Sequence, residues 1–199
     1  MTGETPTDTP ATADPERLEI TASDQLHTWL AEHHGRDQSV WLVTWKAKHR
    51  DRYVSREQVL DELVAWGWID GARKKVDDDR TMQLVSPRRT QYWARSYKVR
   101  AARLEAEGRM QPPGRASVEA GRANGLWTFI DDVDALIVPD DLAEALTSAG
   151  AHERFDALAP SYRRNVLRWL KLAKTAPTRA KRIAKVRDTV RDGQKIRHL

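Results

Sequence analysis

Asp70, Arg73, Arg88 and Arg89 lie close together in the chain, between Trp66 and Trp68 on one side and Trp93 on the other. A guanidinium presents a planar fork of donors that matches a carboxylate or phosphate, and an indole face stacks on a ring or holds a cation. A carboxylate in an aromatic surround either pairs with such an arginine or, desolvated, becomes a general base. Trp66, Trp68, Asp70, Arg73, Arg88, Arg89 and Trp93 are therefore expected to form a recognition site for a small anionic or aromatic ligand. The competing expectation is architectural: Asp70 pairs internally with Arg73 or Arg88, and the tryptophans serve the core, where large aromatics are commonly found.

Other chemistry-bearing residues carry less. Lys46, Lys48 and His49 read as solvated charge at a strand end. His33 and His34 are adjacent, so on a helix they point about 100° apart and make a poor metal pair. Asp77, Asp78 and Asp79 lack the Gly and the distal Glu of a calcium loop and read as a turn. No metal site and no cofactor is expected. No GxSxG, Walker-type GxxxxGK[ST], HExxH or Gly-rich dinucleotide fingerprint occurs, so no catalytic residue is assigned.

The elements that must position these groups can be read from periodicity. Ser23 and Asp24 are placed to cap a helix running to about His34, with Leu26, Trp29 and Leu30 as its stripe. Ser39 to Lys48 is β-branched and aromatic, hence a strand. Ser55 with Gln58 forms a capping-box pattern for a helix to about Trp66, ended by Gly67. Trp68–Lys75 and Thr81–Val85 read as strands joined by an acidic turn. Trp93–Glu107 reads as a basic helix, followed by one opened by Pro112-Pro113. Beyond Leu126-Trp127-Thr128-Phe129-Ile130 the chain is helical, with starts expected at Asp140, at Ser161 and at Pro177 or Thr178.

At 199 residues and 22.7 kDa the chain is long enough for one well-buried domain or two small ones. The absence of Cys rules out disulfides and thiolate chemistry and suits a reducing compartment. Residues 1–15 are rich in Thr, Pro and acid, unlike a secretory signal, and are expected to be a disordered tail. Mean hydropathy is -0.70, and no window reaches the roughly 20 apolar residues of a membrane span, so a cytoplasmic protein is expected. Charge is unevenly placed. Ser161–Leu199 carries thirteen Lys and Arg against two Asp, whereas the preceding chain holds 27 acidic against 21 basic residues. A nucleic acid or an acidic protein is the partner such a basic end would take.

The ordered strings Val40-Trp41-Leu42-Val43, Trp66-Gly67-Trp68-Ile69-Asp70-Gly71, Ser86-Pro87-Arg88-Arg89, Ala106-Glu107-Gly108-Arg109-Met110 and Ile137-Val-Pro-Asp-Asp-Leu-Ala-Glu-Ala-Leu146 closely resemble the YdeI/OmpD-associated family, also described as bacteriocin-protection proteins. The resemblance runs from about residue 16 to 193. It implies a link with bacteriocin or envelope-stress resistance and brings no assigned reaction. The chain departs from the family pattern at Ala94 and Tyr97, which stand where the family commonly has Ser and Asn.

The expected architecture is α+β: a small antiparallel sheet with flanking helices over residues 16–125, then a helical, basic region over 126–199, in one compact body. The expected function is a non-enzymatic, YdeI-like binding protein. Nucleic-acid binding through the C-terminal helices is the alternative, and an unrecognised enzyme using Asp70 a further one.

Overall fold

A computed structural model describes residues 14–196, and the tail expected over residues 1–15 lies almost wholly outside them. Among the described residues the elements run β1 (Arg17–Glu19), α1 (Ser23–His33), β2 (Val40–Trp45), α2 (Arg56–Ala65), β3 (Trp68–Lys75), β4 (Arg80–Pro87), α3 (Arg95–Ala106), α4 (Pro112–Ala123), α5 (Asp131–Asp134), α6 (Asp140–Ser148), α7 (His152–Asp156), α8 (Pro160–Lys171) and α9 (Ala176–Arg191). The chain is α+β.

The elements divide into two compact units. The first takes in the described residues up to Thr90 together with Val99–Ala120; the second takes in Gln91–Lys98 and the described residues from Gly121 onward. The first holds a four-stranded sheet in the order β1-β2-β4-β3, with β1 parallel to β2 and the other pairs antiparallel. Strand β1 was not foreseen, because three residues of mixed exposure leave no periodic signal. Strand alternation places Val40, Leu42 and Thr44 of β2 on one face, opposite Val85, Gln83 and Thr81 of β4. Val40, Leu42 and Val85 on that face are at most 1% exposed. Helix α2 packs against β3 and α1 against α2, burying Leu26, Leu30, Leu63 and Val64.

Helix α2 begins as its sequence dictates. Ser55 Oγ accepts from Gln58 N at 3.2 Å while Gln58 Oε1 accepts from Ser55 N at 2.9 Å, closing the capping box. It ends at Gly67, whose φ of +74° favours glycine, and a Cβ there would come within 2.8 Å of Pro113 O. Gly114 of α4 lies still closer to the end of α2, since a Cβ on it would fall 2.1 Å from Ala65 O.

Three expected caps differ in the structure. Ser23 is the first residue of α1, whose N-cap is Ala22; Asp140 follows the N-cap Pro139; and Ser161 lies inside α8, whose N-cap is Ala159. None of these three helices has a side-chain cap bond. A Pro or a short loop sets each start instead. Helix α9 starts one residue before Pro177, capped by Thr175.

The second unit is helical and has its own core, built on Ile130, Leu142, Leu146, Phe155, Val166 and Val186, each fully buried. Trp169 of α8 is half-buried against this core, with the Arg182 guanidinium 4.9 Å from its ring.

Candidate functional site

The expected site residues fall in several places. Trp66, Trp68 and Trp93 are only 8%, 1% and 1% exposed. Trp68 Nε1 donates to His34 O at 3.1 Å, and its ring meets Trp29 edge-on at 5.6 Å. Trp66 packs between His27 at 5.5 Å and His34 at 5.2 Å. Trp93 belongs to the second unit, where its ring lies 5.1 Å from Trp127. All three rings contribute to packing and none presents an open face to solvent. Arg89, two residues beyond β4, pairs with Asp37, and the Arg88 N–H donates to Gly67 O at 2.9 Å.

Asp70 and Arg73 are brought together. Residues three apart on a regular strand face opposite ways, but β3 shifts register between Asp70 and Arg73, so Asp70 pairs with Val85 and Arg73 with Gln83 on the same face of the sheet. Gln83, only 7% exposed, links them. Its Nε2 donates to Asp70 Oδ2 at 2.7 Å, and its Oε1 accepts from Arg73 Nη2 at 2.8 Å. The Arg56 guanidinium at the start of α2 comes within 3.8 Å of the same Asp70 oxygen, whose side chain is 9% exposed. A buried amide with both ends satisfied is rigid, and it holds one edge of the exposed Arg73 fork.

This network borders a cavity of about 200 Å³ between the sheet face and the first turn of α2. Its apolar wall is Leu42, Val54 and Val59, and its floor is the cross-strand pair Thr44 and Thr81. Arg73, Arg56 and Lys46 supply positive charge at the wall, and no carboxylate lines it. Lys46 Nζ donates to the carbonyls of Asp77 at 3.2 Å and Asp78 at 2.9 Å, which anchors it beside the hairpin turn. In that turn, hydrogen bonds from Lys48 and then His49 hold the Asp79 carboxyl down at about 2. Lys46, read in the sequence as mere strand-end charge, is thus part of the cavity. Gln83, Arg56 and the two threonines had no sequence signal; only strand register and the bulge reveal them.

A second polar cluster in the same unit is structural. Asp61 and Glu62 of α2 are buried, and Asp61 accepts from Arg100, Arg103 and Arg109. Burial works to raise the Asp61 pKa, but hydrogen bonds from Arg103 and Arg100 outweigh it and hold the carboxyl below its ordinary value. Among the described residues no group of His, Asp and Glu is arranged to hold a metal ion.

Part of the basic charge of the C-terminal helices is paired within their own unit. Arg163 meets Asp156 at 2.8 Å, Lys171 meets Asp132 at 2.6 Å and Arg179 meets Asp141 at 2.6 Å. Among the described residues no helix is long and apolar enough to cross a membrane.

Residues 18–117 match the family described as a domain of unknown function, DUF8412. That match takes in half of the chain, and the protein belongs to this family. Residues 135–193 match the family described as bacteriocin-protection, YdeI or OmpD-associated, so the helical C-terminal segment carries the kinship read from the sequence. The strings between residues 40 and 89 that also prompted that resemblance lie in the DUF8412 segment. No curated protein and no solved structure matches the chain.

Proposed function

We propose that this protein is a binding module for a small anionic ligand, and that the ligand sits in the cavity between β2, β4 and α2. The single observation that carries this reading is the Asp70–Gln83–Arg73 network, in which a buried amide joins Asp70 to an exposed guanidinium at the wall of a cavity lined by cations and no carboxylate. Of the residues first expected to bind, Asp70 and Arg73 keep direct roles: Arg73 contacts the ligand and Asp70 sets the amide that aims it. Trp66 and Trp68 support the fold around the site, while Arg88 and Arg89 follow the strand that carries Gln83, which ends at Pro87.

The role is one of capture rather than reaction. Within this reading the protein works in the cytoplasm, which suits a cysteine-free sequence, and contributes to the bacteriocin protection for which the family of its C-terminal segment is described.

Trp45 lies at the cavity wall, so occupancy is expected to change tryptophan emission. Titration with a panel of small anions, peptides and oligonucleotides tests the reading. A response to small anions that disappears in Arg73→Ala supports it; a response that survives the substitution counts against it.

A further inference from the structure

Resting on that reading, we infer that the ligand is a small carboxylate with an apolar body, and not a phosphate. Size sets the first bound. At about 200 Å³ the cavity is smaller than the roughly 300–1,000 Å³ typical of pockets for drug-sized molecules.

The donors set the second. Arg73 gives one Nη2 hydrogen to Gln83 and has no acidic partner among the described residues, so the rest of its fork is available to a ligand while one edge is held by the buried amide. A planar fork matches the two coplanar oxygens of a carboxylate and takes two oxygens of a phosphate as well, so the neighbouring donors must separate the two. Phosphate, by contrast, is commonly cradled by the free first-turn N–H groups of a helix. Helix α2 does begin at this wall, at Arg56, but its capping box engages Ser55 and Gln58, and the Gln58 N–H is directed to Ser55 Oγ. The cradle a phosphate would use is therefore partly filled by the protein's own side chain. Lys46, with two of its donors on backbone carbonyls, is a point charge with one direction left.

The remaining lining fits the body of such a molecule. Leu42, Val54 and Val59 are buried aliphatic surface, against which a hydrocarbon group gains about 25 cal/mol per Å² removed from water. Thr44 and Thr81 are paired across β2 and β4, and their hydroxyls hydrogen-bond to no other described residue, which leaves them able to meet a polar substituent at the far end. A dianion with no apolar part would leave this half of the cavity without a match.

Calorimetric titration of the full chain with benzoate, hexanoate, inorganic phosphate and benzyl alcohol tests the inference. At least one carboxylate is expected to bind about tenfold or more tighter than phosphate and than the neutral alcohol, the scale of a lost charge-assisted pair. Arg73→Lys keeps the charge without the fork and is expected to weaken carboxylate binding about tenfold while leaving the thermal midpoint in place. Phosphate binding as tightly as the carboxylates, or an unchanged affinity in Arg73→Lys with wild-type stability, overturns the carboxylate assignment while leaving the small-anion reading intact. No binding of any anion to the wild-type protein overturns both.

Discussion

Gln83 is the residue on which the proposed site turns. Its amide satisfies Asp70 on one side and Arg73 on the other while only 7% exposed, so replacing it with Leu removes two partners at once. Losing the charge-assisted hydrogen bond from Gln83 to Asp70 is expected to cost about 1–3 kcal/mol. Chemical denaturation of Gln83→Leu measures that loss, and ligand binding should weaken with it because the Arg73 fork is no longer aimed. Asp61 is the corresponding residue for stability. Removing one partner of a buried ionic cluster typically costs about 3–5 kcal/mol, and Asp61→Ala leaves Arg100 beside Glu57 alone. The pH dependence follows in sign. The folded-state pKa of Asp61 lies below its ordinary value, so its contribution is fully present above the usual Asp range near 3.9 and fades as pH falls through the lowered value. Asp79, held at about 2, behaves the same way between the usual range and about pH 2. Denaturation curves taken from pH 7 down to pH 2 should show wild-type stability falling more steeply than that of Asp61→Asn.

At the scale of elements, legibility depended on whether a signal was local. The capping box of α2 was readable because Ser55 and Gln58 lie within one turn and bond to each other's backbone. The β3–β4 hairpin was readable from β-branched runs on either side of an acidic turn. Asp70 and Arg73 could not be placed on one face from sequence, because regular alternation puts them on opposite faces and only the bulge between them reverses this. Partners such as Gln83, Thr44 and Thr81 depend on register between strands, which no short window contains. The tryptophan-rich stretch carries two readings that composition cannot separate, a recognition site and core packing, and Trp66 and Trp68 are buried against α1 and the residue that follows it. Two substitutions test these elements. Ser55→Ala should cost about 1 kcal/mol by removing the cap. Gly114→Ala should cost more, on the order of 1–3 kcal/mol, since its new Cβ would overlap the carbonyl of Ala65. Thermal melts of the two variants, with α2 monitored by circular dichroism, rank the effects.

For the whole molecule, charge and kinship divide along the chain. The sequence places its excess of basic residues at the C-terminal end, within which Arg163, Lys171 and Arg179 are each matched by an aspartate of the same unit. The full chain is accordingly expected to bind oligonucleotides only at the non-specific level, about 10⁻⁵ M or weaker at physiological salt, which fluorescence anisotropy measures directly. The two family matches fall on different segments, with DUF8412 covering the residues that build the cavity and the bacteriocin-protection family covering the helical end. The central claim, a small-anion site in the cavity, is tested most directly by amide chemical-shift mapping while a small carboxylate such as benzoate is added. Shifts should concentrate at Thr44, Thr81, Gln83, Arg73 and the first turn of α2. An unmoved spectrum, or shifts confined to residues away from that cavity, would contradict it.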